Sequence, residues 1–298
     1  MSDLLGLALG GVRATRAALE AVGDNVANAA TPGYVRRSAQ LGAVLPARAN
    51  SPFERDPHAA GGVRVTGIAR AADAIRQDSL RRAEGEVGRL EAARRWLSLT
   101  EASLAGPASL AGPIDGFYRA AAGLADDPAS LAARDLFLSA ADTLAQRFNA
   151  SAASLGRLGT DLDAEAEGEA RALTGLAVAL AEVNAQLRRA TPGGGAAAGL
   201  MDDRDRLLGE LAGRTGIDVR LDARGQAEVR LGGPAGPLIV AGDRAQALFV
   251  APAPDGGLAL RAGPQGVPQA AGSGRLGGLS LARIAILETR ARLDQIGR

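Results

Sequence analysis

Leu5, Ala8, Val12, Thr15, Leu19, Val22 and Val26 recur with alternating spacings of three and four, while Arg13, Arg16, Glu20 and Asp24 fall off that line. A strict 3.5-residue period predicts a helix that packs lengthwise against other helices, rather than one half-buried on a globule. Nothing within the helix covers the stripe. The helix must stop by Ala30, because Pro32 lacks a backbone donor and drives Thr31 out of the α region, while Gly33 can take positive φ. Thr31 to Tyr34 therefore reads as a type II turn.

Tyr34 to Asn50 is mixed and reads as an extended or short β segment running into a loop. Val63 to Ile68 alternates as a half-exposed strand should, and Asp73 starts the next helix. That helix carries Leu80, Ala83, Val87, Leu90, Leu97 and Leu104 in a seven-residue frame, interrupted by Arg94 and Glu101, with Trp96 beside the seam as a packing residue. Gly106-Pro107 and Gly112-Pro113 bracket a break, and Gly116-Phe117-Tyr118 opens a short helix. Asp127 is expected to cap the next helix, with Pro128 in its first turn. From there the frame runs through Leu131, Leu138, Ala141, Ala145, Phe148, Ala152, Leu155, Leu162, Ala166, Leu173, Leu176, Leu180, Val183 and Leu187. Roughly 55 to 60 helical residues reach about 80 to 90 Å. Gly156, Gly159 and Gly168 weaken this rod and leave a kink or a split open.

Thr191 to Gly195 ends the rod, and Met201 to Arg214 reads as one more amphipathic helix. Beyond Gly216 the period changes to two. Ile217, Val219 and Leu221, a turn at Ala223 to Gly225, then Ala227, Val229 and Leu231 describe a hairpin with one buried face. Short strands follow at Leu238 to Ala241, Ala247 to Val250 and Leu258 to Leu260, then a flexible connector from Gly263 to Gly278. Leu279, Ala282, Ile286, Leu293 and Ile296 begin a last heptad helix. The predicted fold is mainly α, an elongated coiled-coil helical bundle with a small antiparallel β region near the C-terminal third. Its expected divisions are 1–60, 61–214, 215–278 and 279–298.

The balance of 34 basic against 33 acidic residues leaves a net charge of +1, so no bulk field draws nucleic acid or an acidic membrane. Lysine is absent and the basic residues are arginines. No cysteine is present, which removes disulfides, thiolate catalysis and cysteine metal sites. The single histidine, His58, reads as a solvated loop residue. Met1-Ser2-Asp3 lacks a positive n-region, so no secretory signal is expected, and no run approaches the ~18 to 20 apolar residues that span a bilayer.

Candidate chemistries are few. Asp202, Asp203 and Asp205 offer oxygen ligands, but Arg204 and Arg206 are interleaved and no calcium-type loop follows. Gly193-Gly194-Gly195 lacks the Gly-Lys-Ser/Thr of a phosphate loop. Glu165, Glu167 and Glu169 read as solvated charge. No metal or cofactor is expected. An enzyme, such as a wall hydrolase, would need a cleft with paired carboxylates, which the heptads leave little chain to build. A cytosolic coiled-coil adaptor is the other rival.

The heptad helix closed by Asn25-Val26-Ala27-Asn28 and, two residues on, Thr31-Pro32-Gly33-Tyr34 resembles the signature of the flagellar axial proteins, the family of rod, hook and hook-associated subunits. Gly62 to Arg70 with Asp73, Phe117-Tyr118, Leu124 to Pro128, Ala133-Arg134, Phe148-Asn149, and Asp202 to Leu208 with Gly216 to Val219 resemble, in order, the hook-associated branch at the hook-filament junction. Ile75 stands where that branch usually has an aromatic residue. Leu279 to Arg298 resembles its middle rather than its closing helix, leaving open a shortened form, a fragment, or a last helix that takes over the pairing with the first.

The resemblance implies a structural subunit rather than an enzyme, assembled as a homo-oligomeric ring between the hook protein and the next hook-associated protein. It further implies passage through the flagellar export apparatus with a dedicated chaperone, without a cleaved signal, to an extracellular position, and no nucleic-acid or membrane partner. Leu5, Val12, Leu19, Val22 and Val26 become the expected assembly seam; Asn25, Asn28, Thr31, Pro32, Gly33 and Tyr34 are the family motif. Lacking a partner face, the first helix is expected to be largely disordered before assembly.

Overall fold

The computed structural model describes residues 2–31, 33–44, 62–106 and 109–297. Pro32, His58 and Pro107 lie outside the described residues. The chain runs α1 (Ser2–Ala27), β1 (Arg37–Val44), β2 (Gly62–Arg70), α2 (Ala74–Leu104), α3 (Ala111–Asp126), α4 (Leu131–Arg189) and α5 (Gly195–Arg214). It continues with β3 (Ile217–Leu221), β4 (Ala227–Leu231), β5 (Leu238–Ala241), β6 (Arg244–Ala245), β7 (Leu248–Pro252), β8 (Leu258–Ala262), β9 (Gln269–Ala270) and α6 (Gly274–Ile296). The sheets are antiparallel: β1-β2, β3-β4-β5-β6 and β7-β8-β9.

The rod is one helix of 59 residues. Gly156 and Gly159 do not split it, since the i→i−4 ladder survives a propensity cost of about 1 kcal/mol each. Its cap differs from expectation. Ser130 accepts from the Ala133 amide, while Asp127 closes α3 with its N–H bonded to the Gly123 carbonyl. A turn, Ser130 N–H to Asp127 carbonyl, separates the two roles and leaves Pro128 outside the helix.

The far half of the rod seam is already covered. Leu155, Leu162, Leu173 and Leu180 are fully buried. From Leu162 onward they share one core with Trp96, with Leu208 and Leu211 of α5, Leu276 and Leu279 of α6, and Val229 and Ile239 of the sheet. Each such side chain contributes about 1.5 to 3 kcal/mol. The first part of the rod's stripe, at Leu131 and Leu138, stays exposed.

Small residues, not the large heptad positions, set how the helices cross. α2 buries Gly85, Gly88, Ala92, Ala93 and Trp96 and leaves Leu80, Val87, Leu90 and Leu97 exposed. A Cβ on Gly88 would stand 2.3 Å from the Gly213 carbonyl oxygen of α5, and one on Gly278 of α6 would stand 2.2 Å from the Arg89 carbonyl oxygen of α2. The backbones touch there. The stretch expected to be a connector is therefore partly structure: it contains β9 and the first turn of α6, with Gly274 at φ 66°. α5 likewise begins at Gly195, ahead of the expected Met201.

Two polar groups expected to face solvent join helices instead. Glu169 is buried and pairs with Arg214 and Arg275, and Glu165 pairs with Arg95 and Arg275, so adjacent turns of α4 are tied to α2, α5 and α6. Of the three glutamates only Glu167 is mostly exposed. Asn184, fully buried, donates to the carbonyls of Ala227 and Gly242 at 2.9 Å and accepts from the Ala227 amide at 2.8 Å, which pins the sheet to the rod. At the same end, a hydrogen bond from Arg188, followed by one from its own backbone, holds the Asp243 carboxyl below its usual range.

Candidate assembly interface

α1 has two faces of different chemistry. Gly10, Ala14 and Ala21 lie along one side; Ala14 and Ala21 are buried, and a Cβ on Gly10 would stand 2.8 Å from the Val63 carbonyl oxygen of β2. Small side chains allow this close approach of helix to hairpin. The expectation that the helix has no partner face in its own chain is thereby corrected. At 100° per residue the seam falls on the opposite side. Leu5, Val12, Leu19, Val22 and Val26 are 73, 64, 66, 57 and 74 % exposed. Five large apolar side chains in one unbroken line are far more than the scattered exposure ordinary surfaces show.

The turn behind α1 locks it to the hairpin. Asn25 acts as a surrogate strand residue: its Nδ2 donates to the Arg37 carbonyl at 2.8 Å and its Oδ1 accepts from the Arg37 amide at 2.8 Å. Tyr34 Oη donates to the same Oδ1 at 3.0 Å. Asn28 caps locally, donating to the Asp24 carbonyl at 3.0 Å and accepting from Thr31 Oγ1 at 3.3 Å. Gly33 takes φ 81° and the Tyr34 amide reaches the Thr31 carbonyl at 3.2 Å, the geometry of a type II turn with glycine third. Asn25, Asn28, Thr31, Gly33 and Tyr34 thus converge on one junction.

Asn25→Ala would remove both bonds to Arg37 at a part-buried place, a loss of about 1 to 3 kcal/mol. Amide exchange of α1 should accelerate while that of α4 stays unchanged. Equal protection of α1 in the variant would contradict this role.

Asp202 and Asp205 are engaged by arginines. Arg70 Nη2 lies 2.6 Å from Asp202 and 2.8 Å from Asp205; Arg37 Nη2 lies 2.7 Å from Asp202; Arg204 holds Asp205. Among the described residues no group of three His, Cys, Asp or Glu is placed to hold a metal ion, and no helix is long and apolar enough to cross a membrane. Away from α1, Glu86 is held below its usual range by its hydrogen bond from Arg89, whose guanidinium is raised in turn.

Long helices, small antiparallel sheets and a docked first helix with a bare apolar line define a mainly α protein. The family profile described as "Flagellar hook-associated protein FlgK helical domain" matches residues 98–298, and that described as "Flagella basal body rod protein" matches residues 5–34. The chain belongs to the FlgK family of flagellar hook-associated proteins.

Flagellar hook-associated protein 1 of Salmonella typhimurium is 28% identical over 255 residues, 85% of this chain and 45% of that protein. Its counterpart in Bacillus subtilis is 26% identical over 216 residues, 71% of this chain and 43% of its own. The chain spans less than half the length of these relatives. The flagellar hook junction protein FlgK from Burkholderia pseudomallei shares the fold at a TM-score of 0.55 and 19% identity, over 69% of this chain and 39% of that one.

Proposed function

We propose that this chain is a structural, non-enzymatic subunit of the bacterial flagellum, an adaptor between hook and filament that assembles through α1. One observation carries the reading. The side of α1 facing its own hairpin is closed, whereas Leu5, Val12, Leu19, Val22 and Val26 remain outside. A line of that length is covered by another helix, and sister copies arranged in a ring provide one at each subunit. The relatives' names, hook-associated and hook junction proteins, support a place at the hook junction. The ring would meet hook protein on one side and the next hook-associated protein on the other. Passage through the flagellar export apparatus with a dedicated chaperone, to an extracellular position, completes the proposal. Residues 1–60 supply assembly, and the remaining divisions supply the rod, the β part and the last helix.

Immunogold labelling of isolated flagella tests this. Label confined to the boundary between hook and filament is expected. Label spread along the filament, or retained in the cell with flagella of normal length, would overturn it.

A further inference from the structure

Among the described residues, the unit formed by α1, β1 and β2 shares no buried apolar residue with the body. The core that joins Trp96, the rod, α5, α6 and the sheets has no member before residue 96, and Ala14 and Ala21 are buried within the unit itself. The hydrogen bonds and ion pairs found between unit and body are these. The Ile68 amide donates to the Gly193 carbonyl at 2.7 Å, and Gly67 and Gly193 meet backbone to backbone. Gly33 lies beside the Arg206 side chain, and a charged cluster sits at the start of α5.

In that cluster Arg70 bridges Asp202 and Asp205, with Nε 2.9 Å and Nη2 2.6 Å from Asp202 Oδ1 and Nη2 2.8 Å from Asp205 Oδ2. Arg37 reaches the other oxygen of Asp202 at 2.7 Å, and Arg204 anchors Asp205 from within α5. The side chains are shielded: Arg70 is 7 % exposed, Asp205 9 % and Asp202 14 %. Three guanidiniums face these two carboxylates, and Asp24, 3.6 Å from Arg37, is a more exposed third. Removing both Asp202 and Asp205 strands the shielded Arg70, and charge-assisted pairs fix orientation in a way that apolar contact does not.

We infer that the Arg37–Arg70–Asp202–Asp205 cluster is a latch that sets the direction in which the N-terminal unit leaves the body. With the latch opened, the unit swings about Ala71 to Asp73 while both parts keep their folds. Placed this way, the latch allows α1 to be aimed during assembly without unfolding anything.

The absence of cysteine makes the test direct. Arg13→Cys on α1 and Glu182→Cys on α4 carry spin labels in the full chain, and double electron-electron resonance reads their separation. The parent is expected to give one narrow distribution. Asp202→Asn with Asp205→Asn is expected to widen it about twofold or more, with helix content and the melting midpoint of the body unchanged. Arg206→Gln, on the same helix but paired outside the cluster with Glu210 and Asp203, is expected to leave it narrow. A narrow distribution in the double variant would overturn the latch. So would a broad one in the parent or in Arg206→Gln, and so would collapse of the body in the double variant.

Discussion

Leu19→Asp and Val22→Asp are each expected to abolish incorporation into flagella while leaving the purified chain folded. The two positions are 66 and 57 % exposed, so a carboxylate there displaces nothing from the core and breaks no hydrogen bond. Far-ultraviolet circular dichroism and thermal melting should match the parent. In the ring proposed above, the same positions would lie under a neighbouring helix. Each apolar side chain lost there removes about 1.5 to 3 kcal/mol, and a buried, unpaired carboxylate adds a larger penalty. The deficit repeats at every subunit, so partial incorporation is not expected. Electron microscopy of flagella from cells producing the variant settles it, and incorporation at the parent level would remove α1 from the interface.

Gly278→Ala should produce the largest change in fold stability from the smallest change in chemistry. Its Cβ would lie 2.2 Å from the Arg89 carbonyl oxygen, 2.8 Å from Ala92 Cβ and 2.9 Å from the Ala93 amide nitrogen, all on α2. Two of the three contacts are backbone, so the helices must separate. Overpacking of this kind costs about 1 to 3 kcal/mol or more, against a gain of about 1 kcal/mol from replacing a helical glycine. The expected net effect is a melting midpoint lower by several degrees. Gly159→Ala has the opposite sign. Nothing lies within 4 Å of a Cβ there, so only the gain remains, and the midpoint should rise slightly. Equal shifts for the two would contradict a backbone-to-backbone contact between α2 and α6.

The difference between those glycines explains which features were legible in sequence. Periods of 3.5 and 2.0 are carried by large side chains, so the mainly α class, the length of α4 and the β3–β4 hairpin could be read directly. The family resemblance at Asn25 to Tyr34 rested on an uncommon motif, and the profiles agree with it. Which apolar stripe is covered, and by what, depends on contacts distant in sequence. Leu162 and Leu180 look no different from Leu80 and Leu97 along the chain, yet the first pair is buried and the second is exposed. Contact faces made of Gly85, Gly88, Ala14 and Ala21 carry almost no hydrophobic signal.

The ionic contacts were half legible. Arg204 and Arg206 interleaved with the aspartates argued against a metal, but nothing near them pointed to Arg37 and Arg70, more than 130 residues away. Glu165 and Glu169 lie four apart, a spacing that places both on one helix face, and that was the available clue to the arginine they share, Arg275. For the assembly seam, sequence supplied the positions and the structure supplied their exposure.

The unbroken course of α4 makes the molecule a lever. Its C-terminal end lies beside the Gly193 contact that receives the N-terminal unit, and its first turns lie roughly 88 Å away at 1.5 Å per residue. Over that span a tilt of about 5° at one end displaces the other by roughly 8 Å. Small adjustments where α1 is held are thereby magnified into large excursions at the distal tip, and a grip on the tip would report angular error at the base.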